Sequence, residues 1–287
     1  MRGSKHEAPG AAGKSARPRS TGELRARWQK LHHGDREPWP DERLIARFAR
    51  QSHAFAAWLE TGDGPTALAQ RIQHAWAEFH AGEFEAAIGH GSELGALGAS
   101  VANKAAAVAT LYFRGSAAQA LRILEAAITR GEKAVELLPE YANAHYLLAL
   151  VLGRYSQRIS ILKALAAGLA GRVRTHLERT LQLEPQHAEG HLAFGLYHAE
   201  IVGKLGALAA SVTYGVSRAA AIEHFTRALQ LAPASPIVHI EYANGLVLLD
   251  ARRYREQARE LYAKAAALEP ADAMERLDVE HAGHGPG

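Results

Sequence analysis

Ala134-Val-Glu-Leu137-Leu-Pro139, Thr180-Leu-Gln-Leu183-Glu-Pro185, Ala228-Leu-Gln-Leu231-Ala-Pro233 and Ala265-Ala-Ala-Leu268-Glu-Pro270 are four versions of one phrase. A small residue comes first, Leu stands three positions on, and Pro follows two later. The phrase is a helix end: Pro has no N–H to donate and disfavours helical geometry in the residue before it. The small residue lets a second helix come close, and the Leu fills the seam.

The context of each Pro repeats as well. Twelve and eight residues before Pro233 stand Ala221 and Phe225; the same offsets give Ala258 and Tyr262 before Pro270, and Val173 and Leu177 before Pro185. Three residues after each of the first three Pro residues a new segment opens: Ala142-Asn-Ala-His145, Ala188-Glu-Gly-His191 and Pro236-Ile-Val-His239. A large–small pair recurs within it as Phe194-Gly195, Tyr242-Ala243 and Leu148-Ala149, and Gly82-Glu-Phe-Glu-Ala-Ala-Ile88 has the form of a turn opening a second helix. With these residues the chain resembles the tetratricopeptide-repeat (TPR) family over about residues 66–270, as five helical pairs. The resemblance implies an all-α, TPR-like right-handed superhelix (an α-solenoid).

Successive prolines lie 46, 48 and 37 residues apart, whereas a standard repeat spans about 34. The two long gaps are elongated helical insertions. One opens Gly153-Arg-Tyr155 and runs to Gly171; the other opens Gly195-Leu-Tyr197 and runs to Gly215. Around Gly195, Tyr197, Glu200, Ile201 and the Ala221-to-Pro233 helix, the chain resembles the regulator-of-microtubule-dynamics proteins, helical-repeat proteins with an extended helix at this place. The first insertion departs from that pattern, with Arg158 where Glu is expected. The insertions are expected to form longer, buried helices.

Composition agrees with helices. Of 287 residues, 48% are hydrophobic and only 7% aromatic, so the core must be built mainly from Ala and Leu rather than from the β-branched and aromatic residues that sheets favour. The chain has no cysteine, which excludes disulfides, thiolate metal sites and a cysteine nucleophile. Residues 1–40 hold nine Lys/Arg and four Asp/Glu, while the remainder holds 24 and 26. A disordered basic tail is therefore expected over 1–40, then a leading helical segment over 41–65, the repeats over 66–270, and a capping helix with a flexible tail over 271–287. The first 20 residues lack the apolar stretch of a secretory signal, and their acid-poor Arg/Ser composition leaves a transit peptide open. No apolar run is long enough to span a membrane, and a cytoplasmic location is expected.

No phosphate-cradling glycine motif, nucleophile elbow or His-Glu-x-x-His motif occurs. His187, His191 and His198 can be placed on one helix face, the arrangement a metal-dependent hydrolase would need. His145, His191 and His239 however share one repeat position, which reads as structural, and neither metal nor cofactor is expected. The working surface implied by the TPR resemblance is the concave groove lined by first helices. There its contact positions fall on Asn143, Tyr146, Leu150, Arg154, Glu189, Leu192, Leu196, Glu200, Ile240, Asn244 and Val247. This mixed-to-apolar lining suits a protein or peptide with apolar anchors. The expectation is a non-catalytic adaptor or scaffold with no specific nucleic-acid partner. The alternative is a membrane- or assembly-associated structural factor acting through the apolar insertions and the basic tail.

Overall fold

The computed structural model of the chain describes residues 20–285 except 61, 63, 113 and 114. Among the described residues there are helices, turns and loops but no strand. Helices α1 (Thr21–Leu31), α2 (Glu42–Gln51) and α3 (His53–Leu59) precede the repeats. Five antiparallel pairs follow. They are α4 (Pro65–Ala81) with α5 (Phe84–Glu93), α6 (Gly95–Leu111) with α7 (Ala117–Leu137), and α8 (Ala142–Ser156) with α10 (Leu169–Leu183). The last two are α11 (Ala188–Leu205) with α13 (Arg218–Leu231), and α14 (Pro236–Asp250) with α15 (Arg255–Ala266). The insertions contribute α9 (Ile161–Ala166) and α12 (Ala207–Tyr214), and α16 (Ala273–Ala282) closes the chain.

The proline phrases end helices as their chemistry requires: α7, α10 and α13 stop at Leu137, Leu183 and Leu231, each two residues before Pro139, Pro185 and Pro233. The histidine six residues after each Pro then ties the turn. The Nε2 of His145, His191 and His239 bonds the carbonyl of Pro139, Pro185 and Pro233 at 3.0, 3.2 and 2.8 Å. With Nε2 donating, Nδ1 must accept. It does so from Nδ1–H of His176 (3.0 Å) on α10 and of His224 (2.9 Å) on α13. In the last repeat Leu261 holds the equivalent place, and His239 Nδ1 has no partner among the described residues.

Close packing explains the large–small pairs. The Phe225 ring lies between α11 and α14, and a Cβ on Gly195 would meet it at 2.6 Å, on Gly245 at 2.1 Å. Gly153, which opens the first insertion as Gly195 opens the second, faces nothing within 4 Å. The two openings are alike in sequence but not in packing.

Two expectations are corrected. Residues 1–19 of the expected tail lie outside the described residues, but residues 20–40 are not a disordered tail. Leu24, Trp28 and Leu31 bury one face of α1, with Trp28 edge-on to Trp39 and Trp76 at 5.0 and 5.7 Å. Residues 32–37 run on as a largely buried connection. The insertions, in turn, are not long buried helices. Gly206 and Gly215, both at positive φ, bound α12, and Gly168, at φ 61, starts α10. These backbone conformations interrupt a continuing helix. Of α12 only Ala210 is buried, while Leu208 and Val212 are each 81% exposed. No described helix is long and apolar enough to cross a membrane.

Candidate functional site

The concave side is lined by the first helices α4, α6, α8, α11 and α14, and its middle is occupied by the protein's own residues 32–37. Lys104 of α6 is the pivot. Its ammonium, buried, pairs with Asp35 and with Glu189 (3.1 Å) of α11. Burial alone would lower the Lys104 pKa, but the two carboxylates raise it above its usual value. Burial would raise that of Asp35, but His32 and Lys104 hold it well below the usual carboxylate range. The Glu189 amide donates to the Gly34 carbonyl at 3.0 Å, and Tyr146 O–H donates to the Glu189 carboxylate at 2.8 Å.

Glu37, two residues on, accepts from Tyr141, Ser100 and Asn143. Burial and the neighbouring Asp35 push its pKa up to about 7 despite those donors. The Asn143 amide oxygen accepts from His187 at 2.7 Å, whose Nδ1 in turn accepts the Gly190 N–H at 2.9 Å. This ring is neutral, burial lowering its pKa to about 3.

The chain's two ends meet across the same space. Arg27 donates to the Ala271 carbonyl, and Asp272 bonds His80 Nδ1 at 2.7 Å. His80 Nε2 meets His32 Nε2 at 3.2 Å, and His32 Nδ1 bonds Asp35 at 2.9 Å. Burial lowers the His32 pKa to about 4, against the opposing pull of Asp35. Farther along, Tyr112 donates to Asp278 of α16. The space left between these fillings is about 70 Å³, bordered by Tyr146, Leu192 and Ile237 among others.

A larger hollow of about 220 Å³ remains open beside it, between α8, α10 and α11, with the insertions at its rim. Leu150, Leu196, Ile201 and Leu205 supply an apolar lining, and Arg154, Glu200 and Lys204 supply charge. Arg154 is paired with Glu241 at 2.8 Å and Glu200 with Lys204 at 3.1 Å. Tyr197 also borders the trough, and its buried hydroxyl has no hydrogen-bond partner among the described residues. A buried polar atom left so is costly until something supplies a partner.

The structure therefore divides the expected groove residues. Asn143, Tyr146 and Glu189 are engaged by residues 34–37 and their neighbours. Leu150, Arg154, Leu196 and Glu200 line the open trough. Leu192 faces the small residual cavity. Ile240 is buried in the core. Asn244 is held by Glu241 (3.1 Å) and Tyr262 (2.7 Å), and Val247 is exposed. His187, His191 and His198 do not converge: His191 is taken by Pro185 and His224, and His198 Nδ1 accepts from the Ser217 N–H at 3.2 Å. Positions missing from the sequence-based set are Asp35, Glu37 and Lys104, and the trough residues Tyr197 and Leu205.

A family profile described as regulator of microtubule dynamics protein 1-3 matches residues 100–282. The crystal structure of a thermophilic TPR protein from Thermus thermophilus superposes with a TM-score of 0.53 over 76% of this chain and 99% of that one, at 16% identity. That likeness shows the TPR fold. No curated protein matches the chain.

Proposed function

Since the chain belongs to the regulator of microtubule dynamics protein 1-3 family, α6 to α16 covering the matched residues, we propose that it is a non-catalytic adaptor that takes an apolar segment of a partner protein into the α8–α10–α11 trough. One observation carries this reading. With the middle of the concave wall filled, the trough is the large apolar hollow left on it, and it is bordered by Tyr197, whose buried hydroxyl has no partner among the described residues. A partner helix or extended peptide would bury Leu150, Leu196 and Leu205 and offer a polar group to Tyr197; affinity would come from burial and fit, with the charged rim setting orientation.

The test is capture by the full chain against a Leu196→Asp/Leu205→Asp variant, with folding of both checked by circular dichroism. Tubulin enters as the first candidate because the family's description names microtubule dynamics. Loss of bound partner in the folded variant supports the reading, and equal recovery by both proteins rejects it.

The exposed pair Leu208 and Val212 on α12 favours a second reading, in which α12 rests on a membrane surface. Co-sedimentation with anionic vesicles, abolished by Leu208→Asp/Val212→Asp and indifferent to the trough variant, would distinguish it.

A further inference from the structure

Glu78 on α4 is buried, with 5% of its side chain exposed, yet two half-exposed imidazoles stand on its carboxylate. His74, one turn earlier on α4, brings Nε2 to 3.3 Å from one oxygen. His90, on the facing helix α5, brings Nδ1 to 2.9 and 2.8 Å from the two. These three ligand atoms lie within 4.8 Å of one another, and no second such cluster occurs among the described residues.

From this arrangement we propose that His74, Glu78 and His90 bind a divalent first-row transition-metal ion of the Zn²⁺ class, clipping α4 to α5. Imidazole nitrogens with one carboxylate suit such ions, whereas Mg²⁺ and Ca²⁺ want mostly oxygen. Ligand atoms around tetrahedral zinc lie about 3.4 Å apart. The His74–Glu78 separation already has that value, and the half-exposed rings of His74 and His90 can close the rest by rotation. The register of the two helices is fixed beneath the site. The turn between them uses Gly82 at φ 85, where a Cβ would also strike Ala273 at 2.9 Å. Beside His74 and His90 lies a hollow of about 290 Å³, room for the water that would complete a four-coordinate ion. The nearby cation Arg71 is paired with Glu93 at 3.4 Å, so its charge does not stand uncompensated at the site. Binding would replace the proton shared by His90 and Glu78, which is released to solvent.

The experiment is calorimetric titration of Zn²⁺ into chelator-treated full-length protein, repeated in two buffers of different protonation enthalpy. The wild type is expected to take up one equivalent with buffer-dependent heat. Mg²⁺ should give none. His74→Ala and His90→Ala, at exposed positions that leave the fold intact, should each weaken uptake by more than about tenfold, since even the supporting partners of metal ligands cost that much. Glu78→Gln, which keeps the shape of the buried side chain, should do the same. The protein has 16 histidines, so the comparison with the variants decides. Uptake unchanged in the His74→Ala/His90→Ala protein, or no uptake by the wild type, overturns the assignment.

Discussion

Over α4, α6 and the starts of α8 and α11, the concave side is packed with the protein's own charged residues, whereas between α8, α10 and α11 it is apolar and open. In the filled part Asp35, Lys104 and Glu189 satisfy one another in the interior. In the open part Leu150, Leu196 and Leu205 face a hollow that Tyr197 also borders, and no described residue bonds that tyrosine's buried hydroxyl. A repeat scaffold offers the same inner wall along its length. Its own chain decides where that wall is left for a partner. A buried ion pair is weak evidence for stability when compared with an apolar replacement, but it fixes geometry. Asp35 has one position in which both Lys104 and His32 reach it, so the segment can dock in one register.

The largest effect is expected at Lys104. Lys104→Met leaves Asp35 and Glu189 buried without a countercharge, and the loss should be about 3–5 kcal/mol. That is a fall in Tm of roughly 10 °C for a chain of this size, read by differential scanning calorimetry. A shift within about 0.5 kcal/mol, as at an ordinary surface site, would mean that the segment is not docked.

Next come the glycines along the solenoid. Gly245→Ala drives a methyl into the Phe225 ring and should cost about 1–3 kcal/mol, the usual penalty of overpacking, with Phe225→Leu restoring part of it. Gly153→Ala, facing open space inside α8, should instead stabilise by about 0.5–1 kcal/mol, the helix-interior advantage of Ala. Urea unfolding of the three proteins gives the order.

The filled part should also be the more acid-sensitive. His32 and His187 are fully buried, with pKa values lowered by burial from 6.5 to about 4 and about 3. Between those values and 6.5 the unfolded chain binds protons that the native rings refuse, so stability falls as pH drops through this window. Glu37 acts oppositely. Its pKa, raised by burial from 4.5 to about 7, makes the native state hold the extra proton, so its contribution falls as pH rises from 4.5 to 7. Two histidines outweigh one carboxylate below pH 6.5. Emission from Trp28, Trp39 and Trp76, which surround the segment's entrance, should therefore change between about pH 6 and pH 4 before the far-UV helix signal does. Coincident transitions would remove the distinction between the two parts.

The smallest effect on stability belongs to the trough. Leu205→Asp, at an exposed position, should change the unfolding free energy by less than about 0.5 kcal/mol while reducing partner capture.

The repeats were legible because their signal is local. A proline stops its own helix, and a histidine six residues later bonds that proline's carbonyl. The filling of the groove was not legible in this way. Asp35 meets Lys104 69 positions away, and Glu37 meets Asn143 106 positions away. In sequence both acids sit in a short polar stretch, between His33 and Pro38, that looks like a linker. Trp28 and Leu31 alone hint at a short helix within residues 1–40; with Leu24 they follow helical spacing, and they are the residues α1 buries. Of the expected groove, Leu150, Arg154, Leu196 and Glu200 fall together in the trough because repeat positions map faithfully onto one helix face. Asn143, Tyr146 and Glu189 map onto that face equally well, but what covers them comes from another part of the chain. The insertions depart from the expected long helices for a different reason. Their apolar composition suggested burial, but Gly168, Gly206 and Gly215 take up positive φ, so each is cut into short pieces rather than one helix pressed onto the core.

The most direct test of the account is native-state hydrogen exchange, followed by mass spectrometry, over the peptide containing residues 32–37. If this segment is docked in the concave wall, its amides, including Arg36 N–H bonded to the His32 carbonyl at 2.9 Å, will exchange as slowly as those of α6. Exchange at the rate of an unstructured chain, with α6 still protected, would show an open groove and contradict it.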